Sequence, residues 1–98
     1  MEYNVVLSLK SEQDIDEAFV WYEEKQVGLG LKFYREVRSS LNRLKTNAES
    51  FPVKLEDSIR EMKLDVFPYI IVYEIVGLDV KVYRIFATAQ NPNKKINS

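Results

Sequence analysis

The stretch YIIVYEIV, residues 69–76, decides the fold, because seven of its eight side chains are apolar or aromatic and predict a central strand. Alternation along a strand divides these side chains between the two faces of a sheet. One face takes Tyr69, Ile71, Tyr73 and Ile75, and the other takes Ile70, Val72, Glu74 and Val76. A strand that is apolar on both faces is typical of a sheet covered on both sides.

Two further strands flank this one in the sequence. VKVYRIFA, residues 80–87, follows after the turn-like stretch VGLDV, residues 76–80, which predicts a tight hairpin. SIREMKLDVF, residues 58–67, precedes it and alternates, with Met62 and Leu64 on one side and Ile59 and Glu61 on the other. We therefore expect three consecutive antiparallel strands at the C-terminal end of the chain.

The first half of the chain predicts one strand and a helical hairpin. EYNVVLSL, residues 2–9, alternates loosely, and Ser11 is a candidate N-cap for a helix over residues 12–26. Gly28 is a candidate left-handed cap, and the apolar spacing that follows predicts a second helix over residues 29–46. The order β-α-α-β-β-β favours an α+β fold over residues 1–98 as one domain, with an antiparallel sheet packed on the helical hairpin.

Two helices cover only one face of such a sheet. The face left over carries large apolar side chains, which favours a partner protein as its cover. We assign partner binding to the side chains of one face of the central strand, Tyr69, Ile71, Tyr73 and Ile75, and alternation alone leaves open whether this face or the other meets the helices. The alternative is that the sheet curls and the C-terminal tail covers this face.

Composition excludes several kinds of chemistry. The 98 residues contain no Cys and no His, so a thiolate nucleophile, a zinc–thiolate site and a histidine base are excluded, and we expect neither metal nor cofactor. The formal net charge of −1 argues against non-specific binding to nucleic acid. We expect a cytoplasmic location without membrane association, since the first residues lack a signal-peptide pattern and no apolar run approaches a membrane span.

Charged residues are unevenly placed along the two predicted helices. Residues 11–24 hold six acids and no base, whereas residues 32–45 hold five bases and one acid. The favoured interpretation is two solvated faces of opposite sign, and the alternative is a basic ridge that meets an acidic partner.

Three basic residues are candidates for binding phosphate. Arg60 and Arg84 fall on strands of one predicted sheet, where two guanidinium groups can grip a phosphate, and Lys54 is a third candidate. The alternative for each arginine is a surface salt bridge, for example to Glu61 or Glu74.

Several segments together resemble the RelE/ParE superfamily of type II toxin–antitoxin toxins. They are DIDEAFVWYEE (14–24), GLGLKFYREV (28–37), FPYIIVYEI (67–75) and VKVYRIFATAQNP (80–92). The resemblance spans nearly the whole chain, and the element order fits the fold of that family. It implies a small bacterial toxin that is held inactive by a cognate antitoxin, which wraps it with helices and an extended segment.

The resemblance leaves the activity open between two branches. RelE-like members cut messenger RNA on the ribosome with basic residues of the sheet, and Arg60 and Arg84 match positions that are commonly basic. Many members end the last strand in a His followed by Arg, where this chain has Ala87, Ala89 and Gln90. The nuclease set is thus incomplete, which favours the ParE-like branch that poisons DNA gyrase.

Three hypotheses follow from the sequence. The first is an antitoxin-bound toxin that is ParE-like and not a nuclease. The second is a ribosome-dependent messenger RNA endonuclease in which Arg60, Arg84 and Lys54 act on the phosphate. The third is a degenerate, non-toxic binding module or homodimer.

Overall fold

The computed structural model describes residues 2–55 and 58–88, except for the side chain of Leu55. Its elements, in chain order, are β1 (Asn4–Leu7), α1 (Leu9–Lys25), α2 (Leu29–Asn47), a 3-10 turn (Ala48–Ser50), β2 (Val53–Leu55), β3 (Ile59–Lys63), β4 (Tyr69–Val76) and β5 (Asp79–Ala87). The predicted α+β fold, an antiparallel sheet packed on a helical hairpin, is confirmed, except that one of its strand pairs is parallel.

The sheet has five strands in the order β1-β5-β4-β3-β2. β2, β3, β4 and β5 pair antiparallel, whereas β1 pairs parallel with β5 and sets Asn4 opposite Asp79. β4 is central as expected, but β2 is not among the strands that the sequence predicts. β2 has three residues with a register shift between Val53 and Leu55, too short a segment for alternation to reveal a strand.

The first helix begins earlier than predicted. Ser8, not Ser11, is the N-cap, and its Oγ accepts a hydrogen bond from the Ser11 amide at 3.0 Å. Ser11 is fully buried, and its own hydroxyl donates to the Ser8 carbonyl oxygen at 2.8 Å. Both serines are plausible caps by residue type, and the backbone hydrogen bond from Glu12 to Ser8 decides between them.

The turn between the helices is held by a carboxylate. Gly28 adopts a φ of 91°, a left-handed conformation that glycine takes without strain, as predicted. The carboxylate of Glu23 accepts hydrogen bonds from the amides of Gly28 and Gly30, at 2.9 and 3.0 Å. A Cβ at position 30 would lie 2.7 Å from the Phe19 carbonyl oxygen, so glycine at this position permits close contact between the helices.

The core lies between the hairpin and one face of the sheet. Its fully buried side chains include Phe33, Val37 and Leu44 of α2 and Val80 and Val82 of β5. A group of aromatic rings closes the end near the β3–β4 loop: Tyr22, Phe33, Phe67 and Tyr69, with centroids 4.8–6.1 Å apart. In the described residues, no helix is long and apolar enough to cross a membrane.

Candidate functional site

The predicted partner surface on β4 lies against the helices. Ile71 and Tyr73 have no exposed surface, and Tyr69 and Ile75 are partly buried against the same core. The Tyr73 hydroxyl donates to the Ala48 carbonyl oxygen at 2.6 Å. A partner cannot touch Ile71 or Tyr73 in this fold, so the assignment of these side chains to a partner surface is wrong. Alternation along β4 divides its side chains between the two faces of the sheet, but only the packing shows which face lies against the helical hairpin.

Arg60 supports the chain between α2 and β2. It lies opposite Tyr73 in the β3–β4 ladder, on the helix side of the sheet. Its guanidinium donates to the carbonyl oxygens of Phe51 at 2.6 Å and Glu49 at 3.3 Å. These contacts hold the 3-10 turn and the segment leading into β2 in place. This structural role of Arg60 could not be predicted from the sequence.

Arg84 forms a two-point ion pair with α1. Its Nε and Nη2 lie 2.8 and 3.2 Å from the carboxylate oxygens of Asp14, and this contact raises the pKa of the guanidinium. The same carboxylate accepts the Ile85 amide at 2.9 Å, at the level of β5 where β1 has already ended. Asp14 therefore accepts a backbone hydrogen bond at the edge of β5 beyond β1, and the same carboxylate forms the ion pair with Arg84.

The two arginines do not share a site. Arg84 lies opposite Val72 in the β4–β5 ladder, on the face away from the helices, whereas Arg60 lies on the helix side. The expectation that they grip one phosphate together is therefore wrong. Lys54 is exposed on the edge strand β2, and its role stays a prediction. Of the positions that depart from the nuclease pattern, Ala89 and Gln90 lie outside the described residues.

A hydrogen-bonded trio lies on the outer face of the sheet. Glu74 accepts hydrogen bonds from the hydroxyls of Ser58 and Tyr83, each at 2.6 Å, and these bonds lower the pKa of its carboxyl. Glu74 thus binds two hydroxyls rather than an arginine. A carboxylate with a lowered pKa is a weak general base, so this trio is not suited to acid–base catalysis at neutral pH.

The strongest binding feature is the open edge of β1, together with the groove beside it. β1 is a terminal strand, and no other described strand pairs with its second edge. The amides of Asn4 and Ser8 donate to the carbonyl oxygens of Leu78 and Val82, so alternation turns the backbone groups of Val5 and Leu7 towards the open edge. Unpaired N–H and C=O groups on an edge strand are a template for another extended chain.

The groove beside β1 combines apolar and basic side chains. Val5 and Leu7 of β1 and Leu41 of α2 form its apolar part, and Arg38, Asn42 and Lys45 of α2 line the rest, around a volume of about 190 Å³. We refer to this groove and the open edge as the β1 groove. Sequence reasoning missed it, because nothing in EYNVVLSL shows that β1 lies at the edge of the sheet beside the end of α2.

Comparison with known proteins gives two findings. The family described as the ParE toxin of type II toxin–antitoxin systems, parDE, matches residues 5–92. A solved structure described as a chromosomal ParDE TA system from P. aeruginosa superposes with a TM-score of 0.79 at 16% identity, covering 89% of this chain and 97% of that one. A search of curated proteins found no match.

Proposed function

Because the chain belongs to the ParE toxin family of type II toxin–antitoxin systems, we propose that it is a cytoplasmic toxin neutralised by a cognate antitoxin bound in the β1 groove. The observation that carries this proposal is the open edge of β1, which lies directly beside an apolar and basic groove. An extended segment that adds a strand at this edge gains backbone hydrogen bonds and places every second side chain against Val5, Leu7 and Leu41.

The charges of the β1 groove define the antitoxin segment further. Arg38 and Lys45 are exposed and line the groove, and neither forms an ion pair in the described structure. Carboxylates on the bound segment would complement them, and charge complementarity selects partners and speeds association. We therefore expect an extended segment of alternating apolar and acidic residues.

The toxic activity that we propose is poisoning of DNA gyrase, as in ParE-like members, and not cleavage of messenger RNA. Support comes from the two arginines, since Arg60 holds backbone carbonyl groups and Arg84 holds Asp14. They also lie on opposite faces of the sheet, so they cannot stabilise one scissile phosphate together.

Expression of the chain without an antitoxin tests the activity. Growth arrest with filamentation and DNA damage is expected, and it should be relieved by co-expressing the product of a small open reading frame that adjoins the gene. Arrest with cleaved transcripts that Arg84→Ala abolishes would instead establish the endonuclease alternative. Folded protein without any arrest would establish the degenerate alternative.

Calorimetric titration with the antitoxin tests the binding site. The double change Arg38→Glu and Lys45→Glu should weaken binding at least tenfold, which corresponds to about 1.4 kcal/mol. The control is Lys63→Glu with Lys81→Glu, which makes the same change in charge at exposed positions of β3 and β5. Equal weakening by both pairs would show a general charge effect and refute the groove.

A proline at position 5 tests strand addition separately. The Val5 amide points to the open edge, so proline should leave the pairing of β1 with β5 intact and remove one donor from the bound strand. We expect weaker antitoxin binding with an unchanged circular dichroism spectrum. Unchanged affinity of a folded Val5→Pro variant would exclude strand addition at this edge.

A further inference from the structure

A second surface lies on the side of the helical hairpin that faces away from the sheet. We call it the outer hairpin face, and its exposed side chains are Glu12, Asp16 and Val20 of α1 and Leu31, Arg35 and Arg38 of α2. Its centre is apolar, since Val20 is 53% exposed and Leu31 is 44% exposed. A groove of about 360 Å³ runs between the helices at this level and is lined by Phe19 and Tyr34, among others.

The outer hairpin face carries opposite charges on its two helices. α1 exposes four acids, and α2 exposes Lys32, Arg35 and Arg38 together with the bases near its end. In the described part of the chain, no ion pair joins an acid of α1 to a base of α2, because the described pairs are Arg43 with Asp65 and Arg84 with Asp14. The two charged rows are therefore available to another molecule.

The contact between Phe19 and Gly30 sets the alignment of the rows. Because the helices are antiparallel, residues whose numbers sum to about 50 lie at the same level. Val20 is therefore level with Leu31, Asp16 with Arg35, and Glu12 with Arg38. Both acids of the outer hairpin face, Glu12 and Asp16, therefore have a base of α2 at their own height.

We propose that the outer hairpin face binds a second copy of this chain, with a two-fold axis parallel to the helices. That axis places α1 of one copy over α2 of the other, so Asp16 meets Arg35, Glu12 meets Arg38, and Val20 packs on Leu31. The perpendicular two-fold would place acids over acids and is disfavoured. Two hairpins joined in this way form a four-helix bundle, a stable arrangement for amphipathic helices.

The proposed dimer is a property separate from the proposed toxin function and does not depend on it. The outer hairpin face and the β1 groove share only Arg38, so the test uses Arg35 and Asp16, which do not line the β1 groove. Loss of self-association in Arg35→Glu should leave antitoxin binding untouched, and loss of antitoxin binding in Val5→Pro should leave the dimer untouched.

Light scattering after size exclusion, applied to the purified chain over a range of concentrations, tests the proposal. The wild-type chain is expected at twice the mass of one chain, and Arg35→Glu is expected at the mass of one chain. Adding Asp16→Arg to Arg35→Glu should restore the dimer, because a two-fold axis places both exchanged charges opposite each other. Lys63→Glu, which makes the same charge change on β3, should remain dimeric.

Three outcomes would overturn the proposal. They are a wild-type monomer at every soluble concentration, an Arg35→Glu variant that remains dimeric, and a folded double variant that remains monomeric. Circular dichroism of each variant shows that the mass reports association and not unfolding.

Discussion

At the residue scale, single carboxylate groups accept hydrogen bonds from backbone amides at places where a strand or a helix ends. Asp14 accepts the Ile85 amide beyond the end of β1, and Glu23 accepts two amides in the turn between the helices. Each of these bonds joins a charged acceptor to a backbone donor, and such bonds are stronger than neutral ones. Their loss should therefore be measurable one residue at a time.

Asp14→Ala should lower the free energy of unfolding by about 1–3 kcal/mol, because it leaves the Ile85 amide and the Arg84 guanidinium without their acceptor. Urea denaturation measures the change. Glu24→Ala is the matched control, an acid at an exposed position of the same helix, where we expect a change within about 0.5 kcal/mol. Equal effects of the two substitutions would show that the Asp14 contacts contribute nothing to stability.

Gly30→Ala tests the close approach of the helices. The new methyl group would lie 2.7 Å from the Phe19 carbonyl oxygen and 2.9 Å from a carboxylate oxygen of Glu23, so the helices must separate. We expect a loss of about 1–3 kcal/mol in unfolding free energy, as for other overpacked sites. Ser39→Ala, at an exposed position of the same helix, is the control. A Gly30→Ala variant as stable as this control would contradict the contact.

At the element scale, α2 anchors the β3–β4 connection. The carboxylate of Glu36 accepts three successive backbone amides, from Asp65 at 2.7 Å, Val66 at 2.8 Å and Phe67 at 3.1 Å. Arg43, two turns further along α2, lies 3.8 Å from Asp65. One helix thus fixes the loop that carries Phe67 into the aromatic end of the core.

Glu36→Ala should release this loop while α2 stays folded. Hydrogen exchange of the amides of residues 65, 66 and 67 should accelerate, since each loses its acceptor. The amides of residues 70–72 in β4 serve as an internal reference and should keep their protection. Unchanged exchange at residues 65–67 would show that the carboxylate does not hold the loop.

The sequence predicted the elements whose pattern is local, and it missed those that depend on distant partners. The hairpin, the left-handed Gly28 and the strands around residues 69–76 follow from spacing and turn residues, and the structure confirms them. The parallel pairing of β1 with β5 does not, because it joins segments 75 positions apart and β1 has only four residues. For the same reason the β1 groove could not be predicted from the sequence. The prediction that the buried face of β4 is a binding surface was wrong.

At the scale of the whole molecule, the buried tyrosines link stability to alkaline pH. Burial raises the pKa of Tyr69 and of Tyr73 to about 12, against an ordinary value near 10. The unfolded chain therefore loses these protons before the folded chain does. Their contribution to stability is complete below about pH 10 and is lost as the pH rises towards about 12.

Urea unfolding measured across this interval should show a falling free energy of unfolding. Tyr73→Phe should make the decline shallower, because one of the two groups no longer titrates, although it also removes the hydrogen bond to Ala48. The wild-type chain and the variant are therefore compared by the slope of the unfolding free energy against pH, and not by their absolute stability. A wild-type stability that stays constant between about pH 10 and 12 would contradict the burial of both hydroxyls.

The pairing of β1 with β5 also has a consequence for the order of synthesis. β1 leaves the ribosome first, but the strand that receives it is the last described element of the chain. Contacts between such distant segments form late in folding. Under the proposed binding mode, a nascent or truncated chain that stops before Asp79 has no ordered edge to offer. The antitoxin would then recognise only toxin in which β5 has already been synthesised.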